Sequence, residues 1–495
     1  MRVRSSLLTL LGCLGALLLG SCRPEPRADL VILNGPEIET LDPQVLTGQA
    51  DGRISGALFE GLTRFNPVTG RGEPGLAERW DISPDGRIYT FHLRTNAAFS
   101  TGRPIQADDF VWSWRHAINP VTGADYSGLF FYVKGGRELV TGTSTNFATL
   151  GIRAVDARTV EVQLTNPAPF FPDLCAMRIM AVVPRETIER YGDQWVRASP
   201  LPCSGAFELL SWRPNDRIRV RRNPHYWDAA NVRSQRVDFL SGDSPATGLN
   251  LYLTGAVDVL IERNLIPLDL IDVLRTRPDF HTFSYLGTYF IRFNVTRKPF
   301  DDVRVRTAIS LVVDKRRIVE RITRMGELPA SALTPPDTGG YTPPPGLGHN
   351  ASSETNATAY AAARAVNIAT AQRLLAEAGY PGGKGFPPFT YMYNAGGGGG
   401  SRTHEQIGVE FQSMLREHLG LPHRHAHRLK NRRSLHLPGR ASRSGTDTDA
   451  SKIECHDLLF GGYTRHRNAR RIADSGCVGA ENPRLRRNLD KGKFK

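Results

Sequence analysis

Periodic placement of apolar residues runs along this chain to Leu419-Gly420 and stops there. Its last instance, EQIGVEFQSMLREHL from Glu405, puts Ile407, Phe411, Met414, Leu415 and His418 on one helical face, and Gly420 is suited to close that helix. The next residues, LPHRHAHRLKNRRSLHLPGRASRSG, carry no apolar face of helical or strand period. A chain folds around what it can bury, so the core must be drawn from the residues before 421. Charge divides at the same place. Residues 421–495 hold 18 Lys and Arg against 7 Asp and Glu, while the rest hold 45 against 42. The net charge of +14 is therefore a property of the tail, and it does not make the body a nucleic-acid binder. The length of 495 residues predicts two or three domains.

The first residues read as a targeting segment. Arg2 and Arg4 precede the apolar run Leu7 to Leu19, which is too short for a permanent membrane span. It ends in Leu19-Gly20-Ser21-Cys22, which resembles a bacterial lipoprotein box. That resemblance implies a lipoprotein signal peptide over residues 1–22, whose Cys22 is lipidated and becomes the new N-terminus after cleavage, and a mature protein tethered outside the cytoplasmic membrane. With Cys13 and Cys22 in the signal and Cys455 and Cys477 in the tail, Cys175 and Cys203 are left in the body. In an oxidising compartment they form either a disulfide or two buried thiols.

Local patterns predict a strand at Leu30–Leu33, a helix over Ser55–Leu62, a hairpin turning at Asp85-Gly86, and an acid-capped helix over Ala107–Ile118. They also predict strands at 160–164 and 179–183, a second hairpin around Asn215, and a strand at 291–295. Helices are expected at 303–313, 317–322 and 370–378. The run NAGGGGG from Asn394 is a loop, since no Lys-Ser/Thr follows as a phosphate cradle requires. Neither Gly-x-Ser-x-Gly nor His-Glu-x-x-His occurs in the body, so no catalytic residue, metal ligand or cofactor is assigned.

Seven runs stand in order along the chain: Leu41-Asp42-Pro43, FEGLTRF from Phe59, LAERWDISPDGRIYTFHLR from Leu76 and GRPIQADDFVWSWRHAINP from Gly102. RRNPHYWDAANV from Arg221, IRFNVTRKPFDDVRVRTAISLVVDK from Ile291 and LLAEAGYPGGKGFP from Leu374 follow. Together they resemble the extracellular peptide-binding lipoproteins of ABC importers, the oligopeptide and dipeptide family. The resemblance implies an α/β, two-lobed periplasmic-binding-protein-like fold with an extra small domain and a ligand cleft between the lobes. On that layout residues 23–59 and 196–285 form a discontinuous lobe I, 60–195 the inserted small domain, 286–420 lobe II, and 421–495 an aberrant basic tail expected to be disordered.

The function it implies is capture of oligopeptides and delivery to an ABC permease by a monomeric binding protein, not an enzyme, with no nucleic-acid partner. Other solutes for the same scaffold are a nickel chelate, an oligosaccharide or an opine. By position, Thr47, Gly48 and Gln49 match the segment that pairs with ligand backbone, Tyr126 a cleft tyrosine, and His404 a polar ligand-side position. Tyr226 and Trp227 read as packing anchors.

The tail departs from the family. There the chain continues with a strand, a Glu-Trp stretch and then Trp-x-x-Asp-Tyr-x-Asp/Glu-Pro, whose aspartate holds the peptide's α-amino group. Residues 421–495 contain no tryptophan and no Asp-Tyr. A basic arm for nucleic acid or anionic lipid, or a metal site from Cys455, His456, His466 and Cys477, explains the charge or the cysteines alone. A shifted reading frame near Leu421 explains the lost pattern, the arginine excess and the position together. It implies an incomplete lobe II and an impaired or non-functional product.

Overall fold

A computed structural model describes residues 25–283, 285–335, 356–394, 399–421, 423–429, 452–463 and 480–481. Its centre is a six-stranded sheet of spatial order Ala480–Glu481, Val259–Leu260, Leu30–Gly35, Arg236–Ser241, Arg217–Arg222 and Phe207–Arg213. The LVIL run of the first strand is apolar on both faces because both are covered. Ile32 enters a core with Leu41, Ile54, Leu58 and Trp195, while Val31 and Leu33 enter another with Tyr252, Leu265 and Ile271. Between the paired strands Arg217–Arg222 and Arg236–Ser241, Arg219 forms a bidentate pair with Asp238 at 2.7 Å and also meets Glu25 at 2.8 Å.

Residues 77–163 build a separate antiparallel sheet in the order Ala77–Ile82, Ile88–Leu93, Thr159–Gln163, Ile152–Asp156. The Asp85-Gly86 turn has Gly86 at φ +68°, a conformation that glycine adopts without a Cβ penalty. Helix Ala107–Ala117 packs on this sheet. Its start is fixed by a capping box in which the Gln106 amide donates to Asp109 at 2.8 Å. Trp114, fully buried against Phe130 and Phe171, centres the core.

The third unit is built on strands Tyr285–Phe293 and Phe389–Asn394 with helices Val303–Val312, Ala357–Glu377 and Gly399–Leu419. Its core joins Phe300, Ile309, Leu375, Phe389, Phe411, Leu415 and Leu421. Within the tail three segments are described as strands. His423–Leu429 and Lys452–Tyr463 pair with this unit's strands, and Ala480–Glu481 pairs with Val259–Leu260. The physical reason is that strand pairing is made by backbone groups and asks no apolar pattern of the added segment.

Three other expectations shift. The helix predicted at 55–62 is Gln49–Leu58, because the chain turns helical directly after the extended Gly48 and is extended again at Phe59. The strand predicted at 179–183 is a 3₁₀ turn, Arg178–Met180, and then extended chain. Its apolar run serves two cores, Ile179, Met180 and Val182 in one and Ala181 and Val183 in the other. Helix Ala357–Glu377 begins well before 370, since its alanine-rich first half lacks an apolar face that the sequence would display. Cys22, the Pro/Gly-rich run Tyr341 to Gly348 that reads as a loop in the sequence, and most of the tail lie outside the described residues.

Candidate functional site

The segment Leu41 to Gln49 is pinned on both sides of its tip. Upstream, the buried Asp42 carboxylate accepts from the Gln44 amide at 2.8 Å and from Trp195 Nε1 at 3.1 Å. Burial pushes the Asp42 carboxyl above the usual range, against the pull of those two donors. Gln44 spends both ends of its side chain: Nε2 donates to the Ser113 carbonyl at 2.8 Å, and Oε1 meets His116 Nδ1 at 2.7 Å. Downstream, the Gly48 carbonyl accepts from Gly52 at 3.0 Å and so opens helix Gln49–Leu58. Asp51, in its first turn, accepts from the amides of Glu39 at 2.8 Å and Thr40 at 3.1 Å. Between the clamps Thr47 and Gly48 are half-buried and Gln49 is exposed. Gly48 is extended at φ −81°, ψ 149°, and a Cβ there would meet Asp51 Oδ2 at 2.2 Å.

His404 lies on helix Gly399–Leu419 in the third unit. Its ring stacks on Tyr289 at 5.5 Å and 15°, with Nδ1 3.1 Å from the Tyr289 hydroxyl, which is 3.4 Å from the Tyr391 hydroxyl. Tyr126 is 45% exposed and leads into the 3₁₀ helix Ser127–Tyr132 of the small-sheet unit. The three predicted ligand positions thus sit on three different units. Neither Tyr289 nor the Gln44–His116 pair stood out in the sequence, because their partners lie far along the chain.

The predicted cysteine pair is resolved as two free buried thiols. Cys175 belongs to the small-sheet core and Cys203 to a core of the six-stranded sheet, so each is satisfied by its own packing and no disulfide joins them. Burial raises both thiols, Cys203 to about 12.

Tyr226 and Trp227 are anchors, and the group they hold is Glu60. Its carboxylate accepts from the Tyr226 hydroxyl at 2.5 Å and Trp227 Nε1 at 2.7 Å. Arg94 and Arg64 stack over the Trp227 ring at 3.7 and 4.9 Å. Burial raises the Glu60 carboxyl, with the two donors and both arginines opposing it.

Residues 72–422 match the sequence family described as bacterial extracellular solute-binding proteins, family 5 Middle. The chain is 34% identical over 400 residues to the periplasmic oligopeptide-binding protein OppA of Escherichia coli (strain K12), spanning 79% of this chain and 69% of that one. It is 32% identical over 385 residues to the probable deoxycholate-binding periplasmic protein YgiS of the same organism, spanning 77% and 68%. Among solved structures, the Escherichia coli murein tripeptide binding protein MppA matches with a TM-score of 0.73 at 27% identity, over 94% of this chain and 86% of that chain.

Proposed function

The chain belongs to the bacterial extracellular solute-binding proteins of family 5, and from that premise we propose that it captures oligopeptides outside the cytoplasmic membrane and hands them to an ABC permease. The reading is carried by the extent of likeness to OppA, whose name states an oligopeptide ligand. The two-lobed α/β fold is that of the solved relatives.

For the ligand contacts we assign Thr47, Gly48 and Gln49 to the peptide backbone, with Tyr126 and His404 lining the cleft. What supports the first is a half-buried extended backbone at Gly48, held between hydrogen bonds to the two buried carboxylates Asp42 and Asp51. Such a segment loses little entropy on pairing with an extended peptide, and backbone pairing is indifferent to ligand side chains. The ligand leaves as it arrived, because binding and release require no bond to be made. We assign the anchor to lipidated Cys22, the lobes to 23–59 with 196–285 and to 286–420, and the small domain to 60–195, in a monomer.

Calorimetric titration of residues 23–495 with peptides of two to five residues tests the reading, with deoxycholate as a parallel ligand because YgiS is named for it. Saturable peptide binding with the peptide recovered intact supports it. Binding of deoxycholate and of no peptide sinks it. Radiolabelled palmitate incorporation, lost in Cys22→Ala, tests the anchor.

A further inference from the structure

We propose that Gln44 and His116 are positioning residues, through which the small-sheet unit holds the Thr47–Gln49 segment in its ligand-competent place. The proposal rests on the reading of that segment as a peptide contact and gives the inserted unit a part in binding that needs no contact with the ligand.

The geometry is closed at every atom. Gln44 is 1% exposed, so neither end of its amide has water as a partner. The Ser113 carbonyl can only accept, which makes the group facing it Nε2 and leaves Oε1 to face His116. Oε1 can only accept, so His116 Nδ1 carries the ring proton, and the tautomer is set by the amide. Burial lowers the His116 pKa, which keeps the ring neutral. The ring cannot swing away: it stacks on Trp112 at 4.9 Å and 16°, one turn earlier on the same helix. Ser113 is itself fixed across the unit, its hydroxyl accepting from the Val183 amide at 3.0 Å.

The chain of constraint then runs to the ligand segment. The backbone N–H of Gln44 donates to the Asp42 carboxylate, and the Leu46 N–H donates to the Asp42 carbonyl at 3.2 Å. Thr47 is the next residue. An apolar side chain would fill the volume of Gln44 equally well, and a residue serving only the core would not need two exactly opposed partners on another unit's helix. Releasing the Gln44 side chain removes the tie to helix Ala107–Ala117 while the bonds to Asp42 and Asp51 remain, so the segment gains freedom at its upstream end without unfolding.

The test uses Gln44→Met, close in volume and without the amide, and His116→Phe, which keeps the stack on Trp112 and loses the donor. Three quantities are read in each: peptide affinity, the melting midpoint, and hydrogen exchange of the 46–49 amides without ligand. The expected result is exchange and Kd each raised about tenfold, the size that one or two lost buried hydrogen bonds carry, with a cooperative melt retained. Unchanged exchange at 46–49 in both variants overturns the proposal whatever the affinity does, since a residue that touches peptide directly would change Kd alone. If the wild type binds no peptide, the functional reading fails, and the exchange measurement still decides the positioning. If Gln44→Met does not fold, His116→Phe decides it.

Discussion

At the residue scale, Glu60 is the group whose charge the fold strains most visibly. Burial raises its carboxyl, so the native state keeps a proton at a pH where the unfolded chain has released it. The sign follows: this residue's contribution is fully present below the ordinary glutamate pKa and is lost as pH rises through the raised folded value. Urea midpoints measured from acid to neutral pH should therefore fall less steeply with rising pH in Glu60→Gln than in the wild type. Parallel curves would show that Tyr226, Trp227 and the two arginines fully offset the burial. The buried thiols give a second expectation. Raised pKa and closed packing make Cys175 and Cys203 poor nucleophiles, so alkylation mapped by mass spectrometry should miss both in native protein and find both in urea. Labelling of either under native conditions would mean that its core opens.

At the element scale, helix ends and sheet pairs set the sensitive points. Gly420 closes helix Gly399–Leu419 at φ +64°, and a Cβ there would lie 2.6 Å from the Gly382 carbonyl. Gly420→Ala should cost about 1–3 kcal/mol, from the left-handed backbone and the displaced turn, read as a lower urea midpoint at constant slope. A wild-type midpoint would mean that the Pro381–Gly383 turn gives way freely. In the six-stranded sheet, Arg219→Leu leaves Asp238 buried with Arg217 at 3.3 Å as its remaining cation. It should cost roughly 3 kcal/mol, and adding Asp238→Leu should recover part of that; a double variant weaker than the single would refute the burial argument. These elements also show what the sequence displays. Helix 107–117 was legible because its apolar face is one-sided and its cap is local. Arg178–Met180 was not, because a run buried on all sides looks the same in a strand, a turn or a helix. The early start of helix Ala357–Glu377 was hidden for the opposite reason, a stretch of alanines with no face to show.

At the scale of the whole molecule, the site is less legible than the fold because it is assembled from distant positions. Thr47–Gln49 could be placed by likeness to relatives, but Gln44 and His116, 72 residues apart, meet only once two units have packed. The end of the chain poses the larger question. The family match stops at residue 422, beside the point where the apolar pattern stops. Strand Lys452–Tyr463 lies between Tyr285–Phe293 and Phe389–Asn394, so the third sheet needs a central strand at that place whatever sequence supplies it. A shifted frame predicts that the gene, translated in its other frames from the codons just before Leu419, yields an alternating strand followed by a Trp-x-x-Asp-Tyr-x-Asp/Glu-Pro stretch. A chain carrying that ending should bind peptide about thirtyfold tighter than this one, since a buried partner for the ligand's amine is worth about 2 kcal/mol or more. The advantage should vanish for peptides with an acetylated amine, which removes the charge the aspartate would meet. Equal affinity for free and acetylated peptides would show that the restored ending supplies no partner for the amine, and neither frame containing the stretch would return the tail to being a native part of the protein.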